Sequence, residues 1–184
     1  MTSATYRRAN AHEGEPHHNF RFLEPHELYR LDALYCTLDA AGRRRRFGAV
    51  VSDASIRSHC ETLHEQEALV IGAFESNRMD AAIELWPFSS AWEQAEIAVA
   101  ARRYAYGPLK TLMRLAAEEA ARRGCARLVA LVDGDSDSLP LLAYIGEVEL
   151  DGEIARIDIS LTTAPFSGPT SGNDVRADET FELR

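Results

Sequence analysis

Three basic side chains and one glycine crowd the stretch RRYAYGPLK, Arg102 to Lys110, just before the strongest helical pattern of the chain. The first N–H groups of a helix lack intrahelical partners and carry the positive end of its dipole, so phosphates bind there. Gly107 would let a ligand come close to the backbone, and Arg102, Arg103 and Lys110 would add positive charge. The same residues also suit an ordinary strand-to-helix turn. Tyr104 and Tyr106 read as packing or loop residues rather than acids.

Such a turn needs a strand before it and a helix after it, and both are visible. Ala95 to Ala101 alternates, with Ala95, Ile97 and Val99 on one face and Glu96 and Ala98 on the other. Leu109, Leu112, Met113, Ala116, Ala117, Ala120 and Ala121 then recur at helical spacing, opposite Arg114, Glu118, Glu119, Arg122 and Arg123. Pro108 suits the first turn and Gly124 the position just past the end. Alanines on the buried face let this helix lie close to a sheet.

Other groups could do chemistry but have fewer companions. Arg43 to Arg46 is a basic run expected in a loop. It could hold nucleic acid or an acidic substrate, lie as a solvated face, or pair with nearby carboxylates. Cys60 and His64 stand at i, i+4, a spacing that could offer two metal ligands, yet two further ligands at suitable spacing are absent. His12, His17 and His18 fall in a polar leader. No metal is expected. The three cysteines, Cys36, Cys60 and Cys125, are scattered, which suits reduced thiols and a cytoplasmic protein.

The chain has 184 residues, 46% of them hydrophobic, enough for one domain with a substantial core. A net charge of −9 argues against a nucleic-acid surface. One lysine stands against 19 arginines, which speaks of codon usage more than of mechanism. No apolar run reaches membrane-spanning length, and the polar start is not a signal peptide. Residues 1–18 read as a disordered leader, 19–161 as the folded domain and 162–184 as a disordered tail.

Within the domain, FRFLEP reads as a first strand and Pro25 to Leu38 as a helix. Ser52 or Asp53 caps a second helix to about Leu63. Ala68 to Phe74 and Met79 to Phe88 form a hairpin around Glu75–Arg78. Ala126 to Val132 is a buried strand, and Leu139 to Tyr144 a short helix. Glu147 to Leu150 and Glu153 to Leu161 form a hairpin with an Asp-Gly turn. Long crossovers beside hairpins imply an α/β (α+β) fold, a mixed sheet with helices on both faces.

The run AEIAVA–RRYAYGPL–KTLMRLAAEEAARRG–CARLVALV resembles the centre of the GCN5-related N-acetyltransferases, the GNAT superfamily. Those proteins have a strand, a loop of the form [QR]-x-x-G-x-[GA], a helix with an "RG" end and a following strand. The resemblance covers roughly residues 19–161. The segments RRRRFGAVVSDASIRSHCETL and EALVIGAFESNRMDAAIEL look like the bacterial protein-acetyltransferase-type members. Two loop registers are open. Arg102 leads the motif with Ala105 and Gly107 in the glycine positions, or Gly107 comes first and Leu109 replaces the second glycine. Helix length favours the latter. Either way one glycine is replaced and Pro108 removes an N–H, so the loop is degenerate.

The resemblance implies a GNAT-like, mostly antiparallel sheet whose fourth and fifth strands splay to admit acetyl-coenzyme A. It implies a cofactor site along Arg102, Arg103, Ala105, Tyr106, Gly107, Pro108, Leu109 and Lys110, with Ser136 (or Asp135) at the family's asparagine position. Backbone groups of Ala98 and Ala100 would hold the pantetheine arm. Glu96 stands where several members place a catalytic glutamate, and burial on an interior strand would suit it to a base. Tyr144 is the candidate acid toward the leaving thiolate. The implied reaction is acetyl transfer to an amine, either a protein lysine or a small molecule. The alternative is a GNAT-fold ligand-binding or scaffold protein without efficient transfer. No nucleic acid or membrane is expected as partner, and an exposed sheet edge would permit a homodimer.

Overall fold

The computed structural model describes residues 18–63, 65–102, 106–132 and 139–159. The leader before His18 and the tail lie outside them. His18 pairs with Glu75 in the first strand, two residues before the FRFLEP run that reads as that strand.

Seven strands form one sheet: β1 (His18–Phe22), β2 (Leu69–Glu75), β3 (Arg78–Pro87), β4 (Gln94–Ala101), β5 (Arg127–Leu131), β6 (Glu147–Asp151) and β7 (Ile154–Asp158). Their order is β1-β2-β3-β4-β5-β7-β6. Only β4 and β5 run parallel, as the crossover through a helix requires, and every other neighbouring pair is antiparallel. The expected mixed, mostly antiparallel sheet is therefore present.

The alternation of side chains divides the core in two. Ile71, Ala81, Ile83, Leu85, Ala95, Ile97, Leu128 and Ile157 face α4 (Tyr106–Arg122) and its buried Leu109, Leu112, Met113, Ala116 and Ala120. The helix thus buries the stripe read from its sequence, and Gly124 follows it with a φ of 95°. On the other face Val70, Phe74, Met79, Ala82 and Ala100 meet Leu31, Leu34, Tyr35, Ile56 and Cys60. Those come from α1 (Tyr29–Cys36) and α3 (Asp53–Thr62). The helix expected over residues 25–38 splits into a 3-10 turn at Pro25–Glu27 and α1. Ser52 caps α3 by accepting from the Ser55 amide. The short helix expected over 139–144 is α5 (Leu139–Leu142).

The four arginines are not in a loop. They lie in α2 (Ala40–Phe47), started by Asp39, whose side chain accepts from the Gly42 amide, and ended by Gly48 in the left-handed region. Cap signals flank the run on both sides, and arginine is a good helix former. Basic composition hid both from the sequence reading.

Candidate active site

Strands β4 and β5 pair over only three positions: Gln94 with Arg127, Ala95 with Leu128 and Glu96 with Val129. Beyond Glu96, β4 continues to Ala101 along β3 while β5 continues along β7. The two strands therefore part, leaving a fork with Glu96 at its apex.

Which backbone groups line this fork follows from ladder parity. The Phe88 amide donates to the Gln94 carbonyl, and the Arg102 amide donates to the Asp80 carbonyl. Positions 94 and 102 therefore turn their backbone groups toward β3, and so do 96, 98 and 100 between them. Ala98 and Ala100, expected to offer their backbone to a pantetheine arm, spend it on the β3 ladder. The groups facing the fork belong to Ile97, Val99 and Ala101. The sequence reading had the strand and its faces but not this parity, because side-chain alternation leaves open which neighbour takes which amide.

Glu96 lies half-buried on the face covered by α1, α2 and α3, directly opposite Trp86 on β3. Among the described residues no side chain or amide donates to its carboxylate. Tyr144 follows α5 and is about half exposed, at 52%. No side chain among the described residues hydrogen-bonds its hydroxyl.

The proposed phosphate turn is only partly described. Arg103, Ala105 and Ser136 lie outside the described residues, as do His12, His17 and His64. Arg102 is tied down, its Nε donating to the Met79 carbonyl at 3.1 Å and standing 3.7 Å from the Asp80 carboxylate. Helix α4 starts at Tyr106, so Gly107 belongs to its first turn. A Cβ at Gly107 would have no heavy atom within 4 Å, so the position is open on the outside. Pro108 and Leu109 are buried, Leu109 in the core against α4's face of the sheet. Any contact from these two residues to a ligand at the turn would therefore come from their backbone. Lys110 is exposed. At the same end of the sheet, a surface pocket of about 570 Å³ runs between α1 and the β2–β3 turn, lined by Arg30, Asn77, Arg78 and Arg102 among others.

The main polar feature of the helix-covered face was not foreseen. Glu84, in the middle of β3 and 0% exposed, accepts hydrogen bonds from four elements' worth of donors. Tyr35 Oη of α1 and Arg46 Nη2 of α2 both donate to it. Trp86 Nε1 donates at 2.7 Å. His59 Nε2 of α3 stands 3.1 and 3.3 Å from its two oxygens. Arg46 Nε also donates to Tyr35 Oη at 3.0 Å, closing the ring of bonds. Burial pushes the Glu84 carboxyl up, but the Arg46 charge and the bonds from His59 and Tyr35 outweigh it and hold it down at about 2. Burial, with Glu84 adding to it, drives the Tyr35 hydroxyl well above its ordinary value, so it stays a donor. A fixed anion with four donors is a structural centre, not a base. The one signal in the sequence was an acid, Glu84, within the otherwise apolar run AAIELW, where a charge demands a partner.

The arginine run is divided by this geometry. Arg46 goes to Glu84, while Arg43 binds the carbonyls of Cys36, Leu38 and Val51 and the carboxylate of Asp53. Arg44 and Arg45 are exposed. At the end of α2, a Cβ on Gly48 would lie 3.5 Å from Leu131 Cδ2 on β5, so α2 spans the fork from the β3 side to the β5 side. Among the described residues no group of three or more His, Cys, Asp or Glu side chains could hold a metal, and no helix among them is long and apolar enough to cross a membrane.

No protein-family model matches the chain, and no curated protein matches it in sequence. Solved structures do match in fold. The GNAT domain of PAT from S. lividans superposes with a TM-score of 0.62 at 15% identity, covering 76% of this chain and 88% of that one. A GNAT-superfamily phosphinothricin acetyltransferase from Sinorhizobium meliloti, solved with acetyl-coenzyme A, gives 0.60 at 14%, covering 84% and 94%. The PaiA N-acetyltransferase from Thermoplasma acidophilum, solved with coenzyme A, gives 0.53 at 18%, covering 77% and 99%. The chain has the GNAT acetyltransferase fold.

Proposed function

We propose that the chain is an acetyl-coenzyme A-dependent N-acetyltransferase acting on an amine, either a protein lysine or a small molecule. The observation that carries this reading is the fork beyond Glu96 and Val129, with a carboxylate at its apex to which no group among the described residues donates. An extended pantetheine arm would lie in the fork as a partial strand on the groups of Ile97 and Val99. The first turn of α4, with Gly107 open above it, would meet the pyrophosphate, and Arg103 and Lys110 would add charge. Fold relatives solved with acetyl-coenzyme A or coenzyme A support a ligand of this kind.

Acetyl transfer needs an unprotonated amine, and the nitrogen sheds a further proton as the tetrahedral adduct forms. Glu96 is the proposed base for that adduct. A strand amide at the fork would polarise the thioester carbonyl, and Tyr144 would return a proton to the leaving thiolate. Arg43 and Arg46 are committed to the protein itself, which supports a small or peptide acceptor over nucleic acid. The free cysteines suit a cytoplasmic setting.

The degenerate turn favours one competing reading, a GNAT-fold binding protein, because Pro108 removes one amide donor there. Calorimetric titration with acetyl-coenzyme A, with coenzyme A as control, followed by an acetyl-transfer assay on amines separates the two. Micromolar binding with turnover supports the enzyme. Binding without turnover on any amine supports the ligand-binding protein, and no binding at millimolar cofactor rules out the enzyme and leaves a scaffold without the family's usual ligand.

A further inference from the structure

The buried centre at Glu84 holds a histidine that the reading above does not use. His59 presents Nε2 to the Glu84 carboxylate, at 3.1 and 3.3 Å from its two oxygens. Its ring is fixed by aromatic neighbours on two sides, Trp86 at 5.3 Å between centroids and Phe47 edge-on at 5.4 Å. Nδ1 has no hydrogen-bond partner among the described residues. It is not sealed off either, since the one buried side-chain nitrogen or oxygen without a partner there is Arg30 Nε. The imidazole is therefore anchored at one nitrogen and open to solvent at the other. Trp86, against which it lies, stands directly opposite Glu96 at the apex of the fork.

We infer that His59 is the group that takes the first proton from the acceptor ammonium. The inference rests on the N-acetyltransferase reading of the fork. An acceptor arriving as R–NH3+ must lose two protons from nitrogen to become the amide R–NH–CO–CH3. One of them balances the thiolate that leaves as coenzyme A thiol, and the other must reach solvent. In the first step an N–H bond of the ammonium breaks, its electron pair stays on nitrogen, and the proton bonds to Nδ1 of His59. The imidazolium then passes that proton to water at its open edge. The second proton, released as the C–N bond forms, goes to Glu96.

Glu84 is the positioning residue. A carboxylate accepting from Nε2–H leaves the lone pair on Nδ1, fixing the tautomer that can act as a base. The charged and titratable groups that face His59 are Glu84 on β3, Arg46 on α2 and Tyr35 on α1. Arg46 Nη2 stands 3.1 Å from the same Nε2, so it opposes that proton while Glu84 holds it. The carboxylate makes two contacts to Nε2 against one from the guanidinium, and that Arg46 nitrogen already donates to Glu84.

The tautomer can be read without any substrate. Long-range 1H–15N correlation spectra of the full-length, 15N-labelled chain, with His59 assigned by His59→Gln, report which nitrogen carries the proton. The expected result is that the neutral ring carries its proton at Nε2. A neutral ring protonated at Nδ1 overturns the inference. In transfer assays His59→Gln should lower kcat/KM about 100-fold at pH 7. The loss should shrink at pH 9.5, where a much larger share of the amine is already free of its proton than at pH 7, with acetyl-coenzyme A affinity within twofold of wild type. An equal loss at every pH also overturns it. Absence of acetyl-coenzyme A binding in the wild type would sink the enzyme reading instead, an outcome distinct from either tautomer result.

Discussion

Glu84 on β3 and Ala98 on β4 stand directly opposite each other in the ladder. A wholly buried carboxylate thus lies one strand from the fork, with only a methyl group opposite it on β4. The ion pair that makes this burial possible belongs to α2, so the helix that spans the fork is fastened at the point where charge is most costly.

Removing one member of that pair should therefore be severe. Arg46→Met leaves Glu84 buried beside an apolar chain, and a loss of about 3–5 kcal/mol in unfolding free energy is expected. Adding Glu84→Gln should recover part of it, because no buried charge is then left unpaired, the amide oxygen still accepts from Trp86 and its NH2 can donate to Tyr35 Oη. Urea unfolding of the single and double variants measures both. A double variant no better than the single would mean that the pair is not the source of the loss.

Acid should weaken the fold through the same carboxyl. Its folded value of about 2 lies below the ordinary glutamate value of about 4.3. The contribution is thus fully present above about pH 4.3 and is lost as pH falls toward 2. Between pH 5 and 3 the wild type should lose urea resistance more steeply than Glu84→Gln. Parallel slopes would show that other carboxylates dominate.

At the apex of the fork, Glu96→Gln should keep acetyl-coenzyme A affinity while lowering kcat by roughly 100-fold or more. Stability should barely change, since no group among the described residues depends on that carboxylate. Steady-state kinetics beside calorimetry separate the two effects. Unchanged kcat would move the base elsewhere.

Gly107 allows a test in which fold and ligand pull in opposite directions. An alanine there meets no neighbour and sits in the first turn of α4, so Gly107→Ala should leave the protein as stable or up to about 1 kcal/mol more stable. If a pyrophosphate rests on that turn, the same methyl group weakens acetyl-coenzyme A binding. Higher melting temperature with unchanged affinity would place the cofactor away from Gly107.

Ladder parity makes the last prediction. Proline at position 99 removes an amide that faces the fork, whereas proline at 100 removes one that bonds to β3. Val99→Pro should cost less stability than Ala100→Pro but more cofactor affinity. The reverse order would refute the parity assigned to β4.

Most of the frame was legible because it is written locally. The stripe of α4, the alternation of β4 and the caps at Ser52 and Gly124 each depend on residues within a few positions of one another. The helix α2 was missed for a local reason as well, four like charges masking two cap signals. The buried centre was not legible. Tyr35, Arg46, His59 and Glu84 lie on four elements, and nothing in their spacing announces that they meet. For the fork, the strands could be found, but the direction of each amide depends on register, which only the paired sheet fixes.

The strand order also sets a timetable for synthesis. β7 lies between β5 and β6, although it is the last of the seven strands to be made. Until residue 158 has left the ribosome, β5 has only its three pairs with β4 to hold it. The part of the molecule before β5 already carries four consecutive antiparallel strands and helices α1 to α4, which cover both faces. The nascent protein thus has one wall of its cleft in place while the other waits for a hairpin some thirty residues downstream, and a chaperone or an early ligand would meet an open, one-sided groove.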